Sequence, residues 1–386
     1  MRQHLVDRYR KVFVSQDEPE LFFSPGRFNV IGEHLDYNGG RVLPGALEAG
    51  TWIAAGLRPD EQLVIYSTYL NETRQLDLRL PPPAEAGWWR YAAGAVLAVS
   101  NRAERLQGMN LLLHSTLPVG AGLSSSASVT VGCALAAAHF LDVRLTCTET
   151  ALLCKKSENE FVGVPCGYLD PFAVACCRKG HALLLDCSLL HQEHIPVHLP
   201  DHEFVVVDSG TRRHLIEAPF RQRFDECRWA LQVLERLLPA QHLADVSPQD
   251  LRRVRHWIGD DVVYRRARHV VTEQWRVAAA AECLRYGKGH ELARLMRASH
   301  ASLRDCFEVS TPELERLASL MQAAPGCLAT RISGAGFGGS MLSLIERGMY
   351  EAFCETVHHS YRQATGLEPG FLRASFGCGA YRYTNG

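Results

Sequence analysis

Leu117–Ser128 reads LPVGAGLSSSAS and joins an apolar run, Met109–Leu117, to an alanine-rich one, Ser128–Leu141. The run before it ends at Pro118 and predicts a strand. The run after it is apolar on most faces, stops before Asp142 and predicts a buried helix. Glycines allow close backbone approach, and a helix start presents unpaired N–H groups at the positive end of its dipole. Such a turn can cradle a phosphate, with a serine hydroxyl in reach of a metal carried on it. A serine-capped helix behind a glycine turn needs the same residues and binds nothing. The G-x-x-x-x-G-K-[ST] phosphate loop is absent, because the one Gly-Lys pair, Gly287-Lys288, is followed by Gly289. Neither the H-R-D nor the D-F-G of protein kinases occurs.

Toward the N-terminus, Leu43–Thr51 and Leu63–Ser67 carry short apolar or alternating runs that predict strands. Before them lies Ser24–Pro44, SPGRFNVIGEHLDYNGGRVLP, which gathers Arg27, Glu33, His34 and Asp36 between glycines. A loop so rich in hydrogen-bonding groups can be aimed at a ligand by a rigid scaffold. A polar turn in which Arg27 pairs with an acid of the same segment accounts for the composition equally well. Glu33-His34-x-Asp36 has no helical ligand spacing, which argues against a metal on His34.

Toward the C-terminus, Thr146-x-x-Glu149 resembles a capping box that opens a helix to about Phe161, and Gly180–Cys187 predicts a strand. The polar, histidine-rich stretch Ser188–Asp201, with two prolines, predicts a domain boundary before a new strand, Glu203–Asp208. Helices are expected over Phe220–Leu238, Asp261–Tyr286 and from Pro312, where Thr311 caps. Strands Cys327–Ile332 and Ser340–Ile345 flank Ile332–Ser340, ISGAGFGGS. Gly334, Gly336 and Gly339 satisfy the G-x-G-x-x-G of dinucleotide-binding oxidoreductases, but that motif should open a helix, and here an apolar strand follows. A glycine loop that presses its backbone against a ligand, or against the loop of the first half, suits the pattern better. No internal repeat is present, and Pro81–Pro83 predicts a surface turn.

With 386 residues, 47% hydrophobic and 22% charged, the chain can bury a sizeable core, and the pattern predicts two α+β domains with a cleft between them. Lys+Arg number 41 against 42 Asp+Glu, so no net field draws it to nucleic acid or an anionic membrane. The thirteen cysteines form no C-x-x-C pair and predict buried free thiols in a reducing cytosol. Met1–Arg10 is polar, unlike a secretory signal, and no run approaches the roughly 18 apolar residues that cross a bilayer. A soluble, cytoplasmic protein is expected.

Taken together and in this order, three segments resemble those of the galactokinases in the GHMP sugar-kinase superfamily. GRFNVIGEHLDYNGGRVLP is similar to their sugar signature, PVGAGLSSSAS to the superfamily's phosphate loop, and SGAGFGGS to its C-terminal glycine motif. ENEFVGVPCGYLDPF, RRARHVVTE and SHASLRDCFEVSTPELERL are similar to galactokinase text as well, so the resemblance covers nearly the whole chain. It implies transfer of a phosphate from ATP to the C1 hydroxyl of galactose. It also implies a two-domain fold: residues 1–195 like ribosomal protein S5 domain 2, residues 196–386 ferredoxin-like with the glycine motif at 333–340, and the active site between them. Carried over by position, Asp170 and Arg27 match the catalytic pair, and Glu33, His34, Asp36 and Gly167 match sugar contacts. Gly120, Gly122, Ser124, Ser125 and Ser126 line the phosphate loop, while Ser126 and Glu158 match ligands of Mg2+. The partners implied are a sugar and ATP, with no nucleic acid or membrane, for a monomer.

The residue types suit the implied chemistry. Phosphoryl transfer has a loose transition state, so positioning and charge neutralisation carry most of the catalysis. Magnesium prefers oxygen ligands and keeps waters, which one Ser and one Glu allow. An arginine beside Asp170 favours its ionised form, which then orients the sugar hydroxyl and takes its proton late. Without the resemblance, Asp170 reads as an acid capping the apolar segment after it.

Four positions depart from the family. Leu35 stands where Thr is usual, Tyr168 replaces a common Ile, Pro171 follows the catalytic Asp in place of Gln, and Phe220 falls on the sugar-contacting Tyr. Losing that hydroxyl removes a hydrogen bond worth about 0.5–1.5 kcal/mol. The same reaction on a uronate, pentose or amino sugar is the alternative, followed by a catalytically silent sugar-sensing relative. Phe220 and Leu35 add no cation, so a uronate carboxylate would be poorly compensated in a partly dry cleft.

Overall fold

The computed structural model describes residues 1–83, 85–118, 120–211 and 217–384; Val119, within the expected phosphate turn, lies outside them. Three sheets form among these residues. The six-stranded sheet runs in the order Tyr381–Tyr383, Glu20–Asn29, Pro44–Leu57, Met109–Ser115, Gln62–Ser67, Glu72–Asp77. It is antiparallel except where Gln62–Ser67 runs parallel to Met109–Ser115. An antiparallel four-stranded sheet orders Cys327–Ser333, Ser340–Glu346, His202–Asp208 and Gly370–Arg373. A small sheet pairs Arg41–Val42, His181–Asp186 and His191–Pro196.

The alanine-rich run folds as the helix Ser125–Phe140, three residues ahead of its expected start, because the serines themselves form the first turn. Small side chains let it lie close to the six-stranded sheet. A Cβ on Gly132 would stand 2.3 Å from Ile53 Cδ1 and 2.9 Å from Ser24 Cβ. Together with Trp89–Ser100 it buries Phe22, Ile53, Leu111 and Val131 in one core. The capping box at Thr146 is present, with Glu149 N–H donating to Thr146 Oγ1 at 3.2 Å and Thr146 N–H to Glu149 Oε2 at 2.8 Å. That helix, Cys147–Ser157, runs into a wide five-residue turn, Glu158–Val162.

A larger core joins the two halves of the chain. Phe28, Val30, Ile31 and Leu35 pack with Val205, Val270, Phe307 and Leu342 in one buried cluster, so the segment that carries Arg27 and Glu33 is clamped between them. The expected polar loop Ser24–Pro44 begins as the end of the strand Glu20–Asn29, whose residues after Glu20 are all buried. The expected linker Ser188–Asp201 contains the edge strand His191–Pro196, in which only Ile195 is buried. Its polar residues hid it, since an edge strand needs little apolar surface. Thr311 caps Pro312–Ala323 as expected. All thirteen cysteines are free, Cys147 and Cys378 being exposed. No helix among the described residues is long and apolar enough to cross a membrane.

Candidate active site

The phosphate-loop segment passes the strand Glu20–Asn29, where the Arg27 N–H donates to the Leu123 carbonyl at 3.1 Å. Gly120 and Gly122 hold positive φ angles of 77° and 73°, which glycine adopts without strain. Ser124 precedes the helix Ser125–Phe140 at φ 58° and makes no side-chain cap. Its hydroxyl instead donates to Asp170 Oδ2 at 2.5 Å. Arg27, buried on the strand, donates through Nε to Asp170 Oδ1 at 2.7 Å and through Nη1 to the Gly122 carbonyl at 2.7 Å. Both oxygens of Asp170 are thus held, in the first turn of the helix Leu169–Cys176, where the helix dipole also favours an anion. The acid that pairs with Arg27 lies 143 residues away, not within Ser24–Pro44.

Beside this pair opens a cavity of about 300 Å³. Arg27, Glu33, His34, Asp36, Gly167, Asp170, Phe220, Ser126 and Glu158 all line it. Gly120, Gly122, Ser124 and Ser125 do not. Of these, Gly122 and Ser124 act on it through Arg27 and Asp170, while Ser125 is exposed at the helix start.

Glu33 anchors the sugar-signature segment in the other half. Its carboxylate accepts from the Gly334 N–H at 3.1 Å and pairs with fully buried Arg331. Arg331 also donates to the Asn29 and Val30 carbonyls and lies 3.9 Å from Glu273. Burial pushes the Glu33 carboxyl upward and Arg331 opposes it. His34, at φ 64°, stacks on Phe307 with ring centres 4.5 Å apart. Its Nε2 lies 3.2 Å from the Ala335 carbonyl, which only accepts, so Nε2 carries the proton and Nδ1 accepts from the Tyr37 hydroxyl at 2.9 Å. Burial pushes its pKa down to about 3, so the ring is neutral, and neither nitrogen is free for a metal. The glycine motif therefore presses against the first half's loop, as its pattern suggested, and Ser340 Oγ adds a bond to the Ala121 carbonyl at 2.6 Å. It leads into the strand Ser340–Glu346, not a helix, which removes the dinucleotide reading.

Four carboxyls line the cavity: Glu33, Asp36, Glu158 and Asp170. Burial, and then the charge of Asp170, pushes Asp36 up to about 6 and Glu158 up to about 7. Arg27 pairs with Asp170 as Arg331 pairs with Glu33. Glu158 Oε1 is buried with no partner. At Gly167 a Cβ would fall 1.6 Å from Asp36 Oδ2, so only glycine lets the carboxyl approach there. Phe220, on the helix Glu217–Leu234, stands with its ring 6.0 Å from His34 and 5.6 Å from Tyr37. Leu35, by contrast, is fully buried in the core and does not line the cavity, so that departure leaves the site untouched. Asn29, Tyr37, Cys166 and Ala335 line the cavity without having been singled out. The period-two pattern on the strand, which puts Asn29 two residues from Arg27, was the signal for the first.

Comparison with known proteins gives a consistent picture. The galactokinase galactose-binding signature matches residues 7–57, the GHMP kinase N-terminal domain residues 90–178 and the GHMP kinase C-terminal domain residues 279–357. The chain is 36% identical to a galactokinase of Halalkalibacterium halodurans over 95% of its own length and 93% of the relative's. It is 34% identical to a galactokinase of Fusobacterium nucleatum, over 98% and 99%. The crystal structure of Lactococcus lactis galactokinase complexed with galactose superimposes with a TM-score of 0.94 at 34% identity, covering 99% of both chains. Mevalonate kinase of Methanococcus jannaschii shares the fold at a TM-score of 0.67 and 18% identity, covering 94% of this chain and 99% of that one.

Proposed function

Since the chain belongs to the galactokinase family and has its two-domain α+β GHMP kinase fold, we propose that its ATP-dependent phosphorylation of galactose at the C1 hydroxyl is carried out in the cavity beside Asp170. The observation that carries this assignment is the double hold on Asp170. Arg27 and Ser124 fix both carboxylate oxygens at the junction of the phosphate turn and the cavity. The sugar enters against Glu33, His34, Asp36, Gly167 and Phe220, with its anomeric hydroxyl toward Asp170. An ionised carboxylate held this way orients the hydroxyl and accepts its proton as the bond to phosphorus forms. Arg27 balances the negative charge that gathers there. The turn at Gly120, Gly122 and Ser124–Ser126 presents backbone N–H groups to the ATP phosphates at the start of a sixteen-residue helix.

Mg2+ fits the residues present. Glu158 Oε1 is buried and unpartnered, burial and then the charge of Asp170 push the carboxyl up to about 7, and Ser126 lines the same wall. Ser126 and Glu158 would hold the ion, which when bound neutralises charge on the transferring phosphoryl group. The division of the chain into 1–195 and 196–386 is part of the same reading. It is supported by the change of sheet between His191–Pro196 and His202–Asp208, with Tyr381–Tyr383 returning to the first sheet. A cytoplasmic monomer completes the proposal. Incubation with Mg-ATP and a sugar panel, with products identified by mass and NMR, tests it. Galactose 1-phosphate is expected, and a higher kcat/KM for galacturonate or a pentose would overturn the assignment of the sugar.

A further inference from the structure

Asn29 ends the strand Glu20–Asn29 two residues after Arg27, so both side chains stand on one face of the strand. It is fully buried, and its side chain lines the cavity that holds Arg27, Glu33 and Asp170. Neither Oδ1 nor Nδ2 has a hydrogen-bond partner. The backbone of the same residue is fully engaged: its N–H donates to Ser333 Oγ at 3.2 Å, and its carbonyl accepts from Arg331 Nη1 at 3.2 Å. The carboxamide is therefore rigidly placed and wholly unsatisfied. Buried polar groups are satisfied in nearly all native proteins, so a group left open on a cavity wall points to something that completes it there.

The chemistry of the carboxamide narrows what that is. It presents one acceptor and one donor side by side. A phosphate oxygen only accepts and would leave Oδ1 open, whereas a metal ion takes only oxygen and would leave Nδ2 open. A hydroxyl both donates and accepts, and so uses both atoms. We propose that Asn29 is a further sugar-binding residue, its carboxamide exchanging a pair of hydrogen bonds with one hydroxyl of galactose. The proposal rests on the sugar occupying this cavity, as assigned above.

The test compares wild type, Asn29→Leu and Asn29→Ala on galactose and its 2-, 3-, 4- and 6-deoxy analogues with saturating Mg-ATP. Asn29→Leu keeps the shape without the polar atoms, and Asn29→Ala serves if the leucine variant folds poorly. The expected result is a rise of tenfold or more in KM for galactose, with the KM for ATP unchanged. That loss should vanish for the single deoxy analogue that lacks the partner hydroxyl, because a site built to bond a hydroxyl discriminates by that hydroxyl. An equal loss on every sugar, or a loss in the KM for ATP alone, overturns the role of Asn29 while galactose turnover by wild type stands. No turnover of galactose by wild type overturns both this role and the function on which it rests.

Discussion

In the proposed reaction the chemistry turns on Asp170, whose two oxygens are held by Arg27 and Ser124. Asp170→Asn keeps the shape and removes the charge. Its kcat is expected to fall by about 10²–10⁴, the usual worth of a proton-transfer group, while the thermal midpoint stays close to wild type. Retention of the wild-type rate would take Asp170 out of the reaction. Glu158 makes a different demand. With its carboxyl pushed up to about 7, a proton competes with the cation as pH falls through that value. The Mg2+ concentration for half-maximal rate should therefore rise by up to about tenfold per unit below pH 7 and level off above it. In Glu158→Gln that requirement is high at every pH and has no such slope, and a flat wild-type profile would count against metal ligation. Phe220 sits edge-on to Tyr37 and beside His34. Phe220→Tyr adds one neutral hydroxyl to the cavity, so kcat/KM should stay within about tenfold of wild type, one such bond being worth roughly 1 kcal/mol.

The elements around the site are tied by one buried ionic chain. Arg331, on the strand Cys327–Ser333, joins Glu33 to Glu273 on the helix Asp261–Arg285, and Glu273 in turn accepts from Arg276 at 2.6 Å, Ser299 at 2.5 Å and the Gly32 N–H at 3.1 Å. Arg331→Met leaves the buried Glu33 carboxylate without its cation, while Glu273 keeps Arg276, and such losses typically cost about 3–5 kcal/mol. Urea unfolding should show a drop of that order, and in whatever folds the KM for galactose should rise more than kcat falls, since Glu33 loses its hold. A stability change under about 1 kcal/mol would mean that the chain of charges holds nothing in place. The junction of this network was invisible in the sequence because Glu33, Glu273 and Arg331 lie 58 to 298 residues apart and meet only by tertiary packing. The capping box at Thr146 and the cap at Thr311 were legible, since cap and capped N–H are three residues apart. So was the strand-turn-helix around Ser124, whose period changes at the glycines. The strand His191–Pro196 was not, because its pairing with His181–Asp186 is carried by the backbone, which composition does not record. The pairing of Arg27 with Asp170 was legible only through the resemblance, since the two meet by tertiary packing.

At the scale of the whole molecule, the glycine motif, the sugar-signature loop and the phosphate turn are drawn from the two ends and the middle of the chain into one place. A ligand that binds there stabilises the fold as a unit. At 100 times its dissociation constant, Mg-ATP should add about 2.7 kcal/mol, seen as a raised thermal midpoint. NAD should give no shift, and a shift with NAD alone would contradict the strand that follows the glycine motif. The strand Tyr381–Tyr383 carries a further consequence. It pairs with Leu21–Phe23, closing the outer edge of the six-stranded sheet with residues some 360 positions later in the chain. During synthesis at about 5–20 residues per second, that edge stays open on the ribosome for roughly 20–70 s. For this interval Leu21–Phe23 present unpaired N–H and C=O groups to any passing strand, a hazard of the nascent state that ends for these residues when Tyr381–Tyr383 take the edge position.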